Sequence, residues 1–298
     1  MKKSLLYGIL ASFFFAFTFI LNRSMNLDGG YWMWSACLRY IFMLPALFMI
    51  VLVTKGIKPT LIHIKQNLVA WFLYSTIGFG IFYTFITLGS VYGNSYFVAA
   101  TWQITIVAGI LLTPLFHNKI PWKNLLYSIL IVIGVFILQL ENMHGLNLGN
   151  TLLPFAIILV AAFAYPFGNR KMMSICKDSL STTERVFGMT LCSMPYWIVL
   201  SIVAYSKVGL PSKSQVEMSL LVALFSGVIA TLLFFKATDM IKNNPNQLAI
   251  IEATQCGEVV FSLLGGIIIS GDPIPSMVGF MGLLLIIIGM VINSLVKE

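Results

Sequence analysis

Two glutamates, Glu252 and Glu258, lie in a long apolar run that extends from Leu248 to Ser270. A carboxylate at the depth of a bilayer is costly and needs a partner, a proton or an ion. On a helix with 100° per residue, both acids share an arc of about 120° with Gln255 and Ser262. Lipid cannot satisfy such an arc, so we expect it to face a cavity. A carboxyl group there can exchange a proton for a cationic substrate, although a purely structural contact between helices is the alternative.

Polar residues in other apolar runs are further candidates for the same cavity. Arg39 lies in the outer part of its run and needs a partner, and Glu258 is the nearest acid in depth. The two would form a gate or a structural tie, or Arg39 would contact an anionic group of the substrate. Thr101, Trp102 and Gln103 form a polar cluster for substrate contact, although threonines also bond harmlessly to their own helix backbone.

The amino-acid composition indicates whether this chain is surrounded by water or by lipid. Of its 298 residues, 59% are hydrophobic and only 9% are charged, and the mean hydropathy is +0.93. Soluble domains have about 25% charged residues, so this chain fits a lipid bilayer and not water. The net charge of +8 comes from Lys and Arg at the ends of the apolar runs. It therefore indicates membrane topology and not a nucleic-acid partner.

Motifs for metals, cofactors and enzyme chemistry do not stand out in the sequence. The four cysteines show no CxxC or Cys/His spacing, and the three histidines are far apart. We find no HExxH, P-loop, GxSxG or GxGxxG pattern in a suitable context. We therefore expect no cofactor, no metal and no enzyme activity.

Apolar runs of about 20 residues can cross a bilayer as helices. Ten such spans are predicted: Leu5–Asn22, Tyr31–Val53, Leu68–Ser90, Ser95–Phe116, Trp122–Leu140, Thr151–Asn169, Val186–Tyr205, Met218–Phe235, Gln247–Ser270 and Pro275–Leu295. With the N-terminus inside, the outer segments hold only Arg23, Lys207 and Lys213, while the inner segments hold nearly all other Lys and Arg. This asymmetry predicts that both termini are cytoplasmic.

Short matches in the same order suggest that the two halves of the chain are related. Asn22-Arg23-Ser24-Met25 corresponds to Asn169-Arg170-Lys171-Met172, and Ile131–Gly134 corresponds to Ile286–Gly289. Each half has five spans, an odd number, so the second half must be inverted in the membrane. Inverted repeats around a midplane site are typical of secondary transporters. We predict two five-helix repeats, residues 1–145 and 146–298.

The chain resembles the drug/metabolite transporter superfamily, in particular its ten-helix EamA-like and multidrug-efflux branches. The run from Gly257 to Asp272 is similar to the family pattern "LEPVxAxLLxxLxLGE", with Glu258 at the family's glutamate. Leu38-Arg39-Tyr40 is similar to its "lRf" in the second helix. Val259 departs from the pattern, because the family has a proline there. The resemblance implies a cavity between helices 1–4 and 6–9, with helices 5 and 10 as support, and leaves the substrate open.

These observations together predict an all-α integral membrane protein of the cytoplasmic membrane. We expect a secondary active transporter that exports a small organic solute or drug-like cation in exchange for protons, by alternating access. Its partners would be the substrate, protons and lipid, and it would be a monomer or a homodimer. The alternatives are uptake or exchange of a metabolite such as an amino acid, amine or nucleobase. A lipid flippase or membrane enzyme is a further alternative, as is a scaffold or sensor that transports nothing.

Overall fold

The computed structural model describes residues 2–117, 119–141, 148–177, 179–241 and 245–296, and within these ranges it contains helices and no strands. We number the ten long helices α1 to α10. They are α1 Lys2–Leu27, α2 Trp32–Thr54, α3 Leu68–Tyr92, α4 Ser95–Leu111, α5 Trp122–Glu141, α6 Leu148–Cys176, α7 Thr182–Val208, α8 Lys213–Thr238, α9 over residues 245–270, and α10 Met277–Leu295.

Most of these helices are long and apolar enough to cross a bilayer. In the part of the chain that the structure describes, nine meet both conditions, and α4 is a shorter apolar helix. The expectation of an all-α, multi-pass membrane protein is therefore confirmed. The tenth crossing and the cytoplasmic termini stay predictions. The proposed junction between the halves, at residues 145 and 146, lies outside the described residues.

Several helix ends differ from those expected. The fourth helix ends at Leu111, and Thr113–Phe116 forms a separate 3₁₀ turn. Pro114 in that turn lacks an N–H and cannot continue the α-helical hydrogen bonds. The sixth helix continues to Cys176 instead of ending at Asn169, so the cations that follow Asn169 lie on a helix. The expected loop after α2 contains a short helix, Lys58–Gln66.

Glycines join α5 to α10 along one seam. A Cβ atom at Gly134 would lie 2.6 Å from the carbonyl oxygen of Gly282, and one at Gly289 would lie 3.0 Å from the backbone nitrogen of Ile131. Only residues without a side chain allow two helix backbones to approach this closely. The two helices pack chiefly against each other at this seam; their supporting role stays a prediction.

A second close crossing joins α3 to α6. A Cβ atom at Gly168 would lie 2.4 Å from the Cα of Gly78. Gly78 belongs to a π-helical segment, Thr76–Ile81, in the middle of α3. A second π segment, Ala223–Ala230, occupies the middle of α8. These are the third helices of the two predicted halves, so the two segments occupy corresponding positions; a further π segment, Gly266–Ser270, ends α9.

Candidate functional site

Two helices of the predicted cavity, α4 and α9, are interrupted at similar distances from their first residues. In α4 the α-helix stops at Trp102 and resumes at Ile104, with a turn at Gln103. In α9 a 3₁₀ turn, Thr254–Cys256, separates Pro245–Ala253 from Gly257–Gly265. The segment of α9 that follows its break, Gly257–Gly265, packs against the segment of α4 that precedes its break, Ser95–Trp102. Interrupted helices are a common way to build a polar site within a membrane protein.

Gln103 fills the gap that its own break creates. Its backbone N–H bonds to the carbonyl of Ala100 at 3.1 Å, whereas a regular α-helix would direct it to Ala99. The side-chain Nε2 of Gln103 donates to the freed Ala99 carbonyl, also at 3.1 Å. The side chain is buried, at 3% exposure. The break therefore costs no unsatisfied carbonyl and fixes the direction of the amide.

Glu258 lies opposite this amide. It follows the 3₁₀ turn of α9, in the first turn of the segment Gly257–Gly265. Its carboxyl group interacts with the side chain of Gln103, and its side chain is only partly buried. The predicted candidates Gln103 and Glu258 therefore lie close together, Gln103 at the break of α4 and Glu258 just after the break of α9.

Three aromatic rings form a cluster beside this pair. The ring centroids of Phe82, Trp102 and Tyr165 lie 4.9 Å (Phe82–Trp102), 4.8 Å (Phe82–Tyr165) and 5.4 Å (Trp102–Tyr165) apart. Tyr165 is close enough to interact electrostatically with Glu258 and with Arg39.

Tyr165 also reveals an opening among the helices. Its ring packs against Phe82 of α3 and Trp102 of α4, yet 37% of the side chain is exposed. We infer from this exposure, and from the electrostatic effect of Glu258 of α9 on its hydroxyl, that Tyr165 faces a cleft. This cleft has a carboxyl group on one side and aromatic faces on another, an arrangement that suits an organic cation.

The four residues of the polar arc predicted for α9 lie in different environments. Glu252 is exposed and Gln255 is partly buried, whereas Ser262 is fully buried and its hydroxyl has no partner in the described ranges. Gln255 donates to the hydroxyl of Thr254 at 3.4 Å and not to an acid. Of the four arc residues, Glu258 is the one whose contact with Gln103 connects it to the cleft.

Thr101 also lies away from an evident ligand position. It is fully buried, and its hydroxyl lacks a hydrogen-bond partner among the residues described. Its neighbour along the helix, Thr105, donates to the Ala162 carbonyl of α6 at 3.2 Å. Thr105 therefore helps to join α4 to α6, while substrate contact by Thr101 stays a prediction.

The expected ion pair between Arg39 and Glu258 is not formed, which corrects the sequence prediction. Arg39 donates to the hydroxyls of Thr18 at 2.9 Å and Ser226 at 3.2 Å, and its guanidinium lies 4.2 Å from the ring centroid of Tyr83. Within the described ranges, no acid lies in salt-bridge range of Arg39. The guanidinium instead ties α2 to α1 and α8, through neutral oxygens and an aromatic face.

The sequence does not single out Phe82, Tyr83 or Tyr165 as residues of the site. Tyr165 precedes Pro166, and α6 continues through that proline to Cys176. A single aromatic residue in a span does not indicate its partners, because aromatic side chains in membrane helices also lie at the membrane–water interface. In the described part of the chain, no three His, Cys, Asp or Glu side chains are grouped as a metal site would require.

Comparisons with known proteins agree with this architecture. The family model "EmrE: Putative multidrug resistance efflux transporter" matches residues 2–298. The chain is 45% identical to "Uncharacterized protein YjlA" of Bacillus subtilis (strain 168), over 99% of this chain and 95% of that protein. It is 44% identical to the "Uncharacterized 42.1 kDa protein in intracellular alkaline protease 3'region" of Shouchella clausii, over 86% of this chain and 70% of that protein.

A solved structure described as "Crystal structure of protein" has the same fold. It superposes with a TM-score of 0.60 over 97% of this chain and 96% of that chain, at 11% identity. The family match extends over almost every residue and includes both interrupted helices. This chain therefore belongs to the putative multidrug resistance efflux transporter family, within the drug/metabolite transporter superfamily.

Proposed function

We propose that this protein exports a small organic cation across the cell membrane in exchange for protons. The observation that supports this most strongly is the Phe82–Trp102–Tyr165 cluster of aromatic rings beside Gln103, with the carboxyl group of Glu258 near that amide. A carboxylate supplies the charge that neutralises a cation in a medium of low polarity. Aromatic faces attract the same cation and tolerate ligands of varied shape.

The exchange follows from a single acidic group with two competing occupants. Glu258 can hold a proton or neutralise a bound cation, and proton binding removes the charge that the cation needs. If the site opens to each side of the membrane in turn, entry of a proton from outside releases the cation there. The site, now holding a proton and no cation, then opens to the inside and releases the proton there.

The two helix breaks supply a physical basis for such alternation. Interrupted helices in related halves, with the site between them, permit one half to rock against the other. The paired π segments of α3 and α8 and the close contact of Gly78 with Gly168 support a similar design in both halves. We assign Glu252, which is exposed one to two turns before Glu258, to attracting cations at the mouth of the cleft.

The direct test replaces Glu258 with glutamine. In proteoliposomes with an imposed pH gradient, Glu258→Gln should reduce proton-driven flux of a fluorescent lipophilic cation to background, because the amide keeps its size and cannot ionise. The matched control is Glu217→Gln, since Glu217 is exposed and, among the described residues, its one ion pair is with Lys213 at the start of α8. Wild-type flux in the Glu258 variant would refute its role, and equal loss in both variants would indicate a general effect of lost negative charge.

The same assay separates export from uptake. An exporter accumulates the cation on the side from which protons leave, whereas a proton-coupled importer accumulates it on the side that protons enter. Amino acids, amines and nucleobases should be offered as substrates under the same imposed pH gradient. If one of these metabolites were transported and lipophilic cations were not, the protein would be a metabolite transporter and our proposal would be wrong.

A further inference from the structure

A cavity of about 1140 Å³ lies where the end of α4, the start of α5 and the end of α6 meet. Its walls come from residues 113, 115–117 and 119–123, between α4 and the start of α5, and from residues 170, 171, 173 and 174 on the last turns of α6. None of the residues that form the candidate substrate site lines it. The cavity is therefore a separate feature, and its use does not depend on what the protein carries.

The charge of this cavity has one sign. Four cationic side chains line it, together with a histidine, and no Asp or Glu is found among the described lining residues: Lys119, Lys123, Arg170, Lys171 and His117. Cations held this close repel one another, and the repulsion is removed when an anion enters between them. The sequence predicts that both wall segments face the cytoplasm.

Two of the cations are held in place without a ligand. A guanidinium nitrogen of Arg170 donates to the carbonyl of Gly109 near the end of α4. The ammonium of Lys171 lies 5.1 Å from the ring centroid of Phe116. His117 adopts a left-handed backbone conformation, with φ of 60°, and turns the chain away from the 3₁₀ turn. These contacts fix two of the four cations, Arg170 and Lys171, at the pocket.

The rim of the pocket is apolar. Trp122 is 71% exposed and Leu115 is 54% exposed, and both line the cavity with Phe116 and Ile120. Tryptophan is enriched where the membrane meets water. An occupant that satisfies the whole pocket must carry a negative group beside an apolar chain. A dissolved phosphate would meet the cations and leave the apolar rim uncovered.

We propose that this pocket binds the phosphate headgroup of an anionic phospholipid, with the acyl chains leaving past Trp122 and Leu115. Guanidinium and ammonium groups are the usual partners of phosphate oxygens. Basic pockets between helices on the cytoplasmic side are known sites for such headgroups. A lipid in this position would hold the end of α4 beside the end of α6, and these helices carry Gln103 and Tyr165 respectively.

The test compares two triple variants of the detergent-purified, full-length chain. The first, K119Q/K123Q/K171Q, removes three lysines of the pocket. The control, K55Q/K58Q/K65Q, removes three lysines near the short helix Lys58–Gln66, on the same predicted side of the membrane. Native mass spectrometry and thermal unfolding are measured with added phosphatidylglycerol, with phosphatidylcholine and with soluble glycerol phosphate. Micelles are used because a vesicle surface would attract all exposed lysines alike.

We expect phosphatidylglycerol to bind and to raise the unfolding temperature, and phosphatidylcholine to do neither. Each lysine near an anionic headgroup changes affinity about fivefold, so the pocket variant should bind on the order of 100-fold more weakly. The control should bind as the wild type does. Equal loss in both variants, or equal binding of both lipids, would overturn the proposal. Stabilisation by glycerol phosphate as strong as that by lipid would show a site for a soluble phosphorylated solute instead.

Discussion

The side-chain Nε of Arg23 lies 3.4 Å from Oδ1 of Asp272, which joins α1 to the end of α9. The other carboxylate oxygen of Asp272 accepts a bond from the backbone N–H of Ser95 at 2.8 Å. Ser95 is the first residue of α4, where free N–H groups favour a negative charge. Asp272 therefore connects the end of α9 to α1 and α4, at the end of the molecule that the charge pattern predicts to face outward.

Loss of this acid should loosen the outer end. Asp272 has only 1% of its side chain exposed, so Asp272→Asn leaves Arg23 without its counter-ion in a poorly solvated place. We expect a loss of about 1–3 kcal/mol in stability, measured as a lower unfolding temperature in detergent. Glu217→Gln breaks an exposed pair and should cost less than about 1 kcal/mol. Similar effects of the two changes would show that the outer ion pair does not hold the helices.

Arg39 should act on stability and not on cation binding. Arg39→Lys keeps the charge but cannot reach the hydroxyls of Thr18 and Ser226 together. We expect a loss of about 1–3 kcal/mol in unfolding free energy, because one hydroxyl contact and the stacking on Tyr83 are lost. Cation affinity of the folded fraction should stay at the wild-type value. Normal stability with weakened binding would instead place Arg39 in contact with substrate.

Gln103 should be needed for cation binding because it orients Glu258. Gln103→Leu removes a hydrogen-bonding partner of a carboxylate, so affinity should fall roughly tenfold or more. The control is Gln139→Leu in α5, where the buried amide has no hydrogen-bond partner in the described structure. That change should keep affinity and leave stability equal or slightly higher. Unchanged affinity in the Gln103 variant would remove this amide from the site.

The aromatic cluster should discriminate by charge. Trp102→Leu keeps the site apolar but removes a π face, so a lipophilic cation should bind about 5- to 30-fold more weakly, the equivalent of roughly 1–2 kcal/mol. A neutral molecule of the same shape should lose far less, and Trp102→Phe should preserve most of the cation affinity. The affinities are measured by equilibrium binding. Equal losses of affinity for the cation and the neutral analogue would show that the Trp102 ring contributes by packing and not by attraction to charge.

The seam between α5 and α10 should tolerate no added carbon. A Cβ atom at Gly134 would lie within 3 Å of the Gly282 carbonyl and of the Ile286 backbone nitrogen, and backbone atoms cannot turn aside. Gly134→Ala should lower stability by about 1–3 kcal/mol, while the neighbouring, exposed Ile133→Ala should be nearly neutral. Transport per folded molecule should persist in both variants, because this pair of helices lies outside the candidate site.

The membrane class, the helix positions and the family could all be predicted from the sequence. Apolar runs define helices directly in a bilayer because every backbone group must be satisfied within its own segment. Glu258 could also be singled out, since a carboxylate among apolar residues is costly wherever the chain places it. These inferences need only local composition and the properties of lipid.

The partners of the polar residues could not be predicted in the same way. Arg39 bonds to Ser226, which is 187 residues away in sequence, and hydropathy does not encode which helices become neighbours. The break at Gln103 was missed for a related reason. A single turn with altered hydrogen bonds leaves the apolar character of α4 unchanged, and only the amide that fills the gap marks its position.

The interruption of α4 has an evolutionary consequence. A carbonyl exposed by an irregular turn belongs to the main chain, so no change of side chain can delete it. At this site the lone pairs of Ala99 persist in every descendant that keeps the turn, and Gln103 covers them at present. A variant that replaces Gln103 and keeps the turn would therefore still present the Ala99 carbonyl, which its new side chain would have to cover or leave open to another donor.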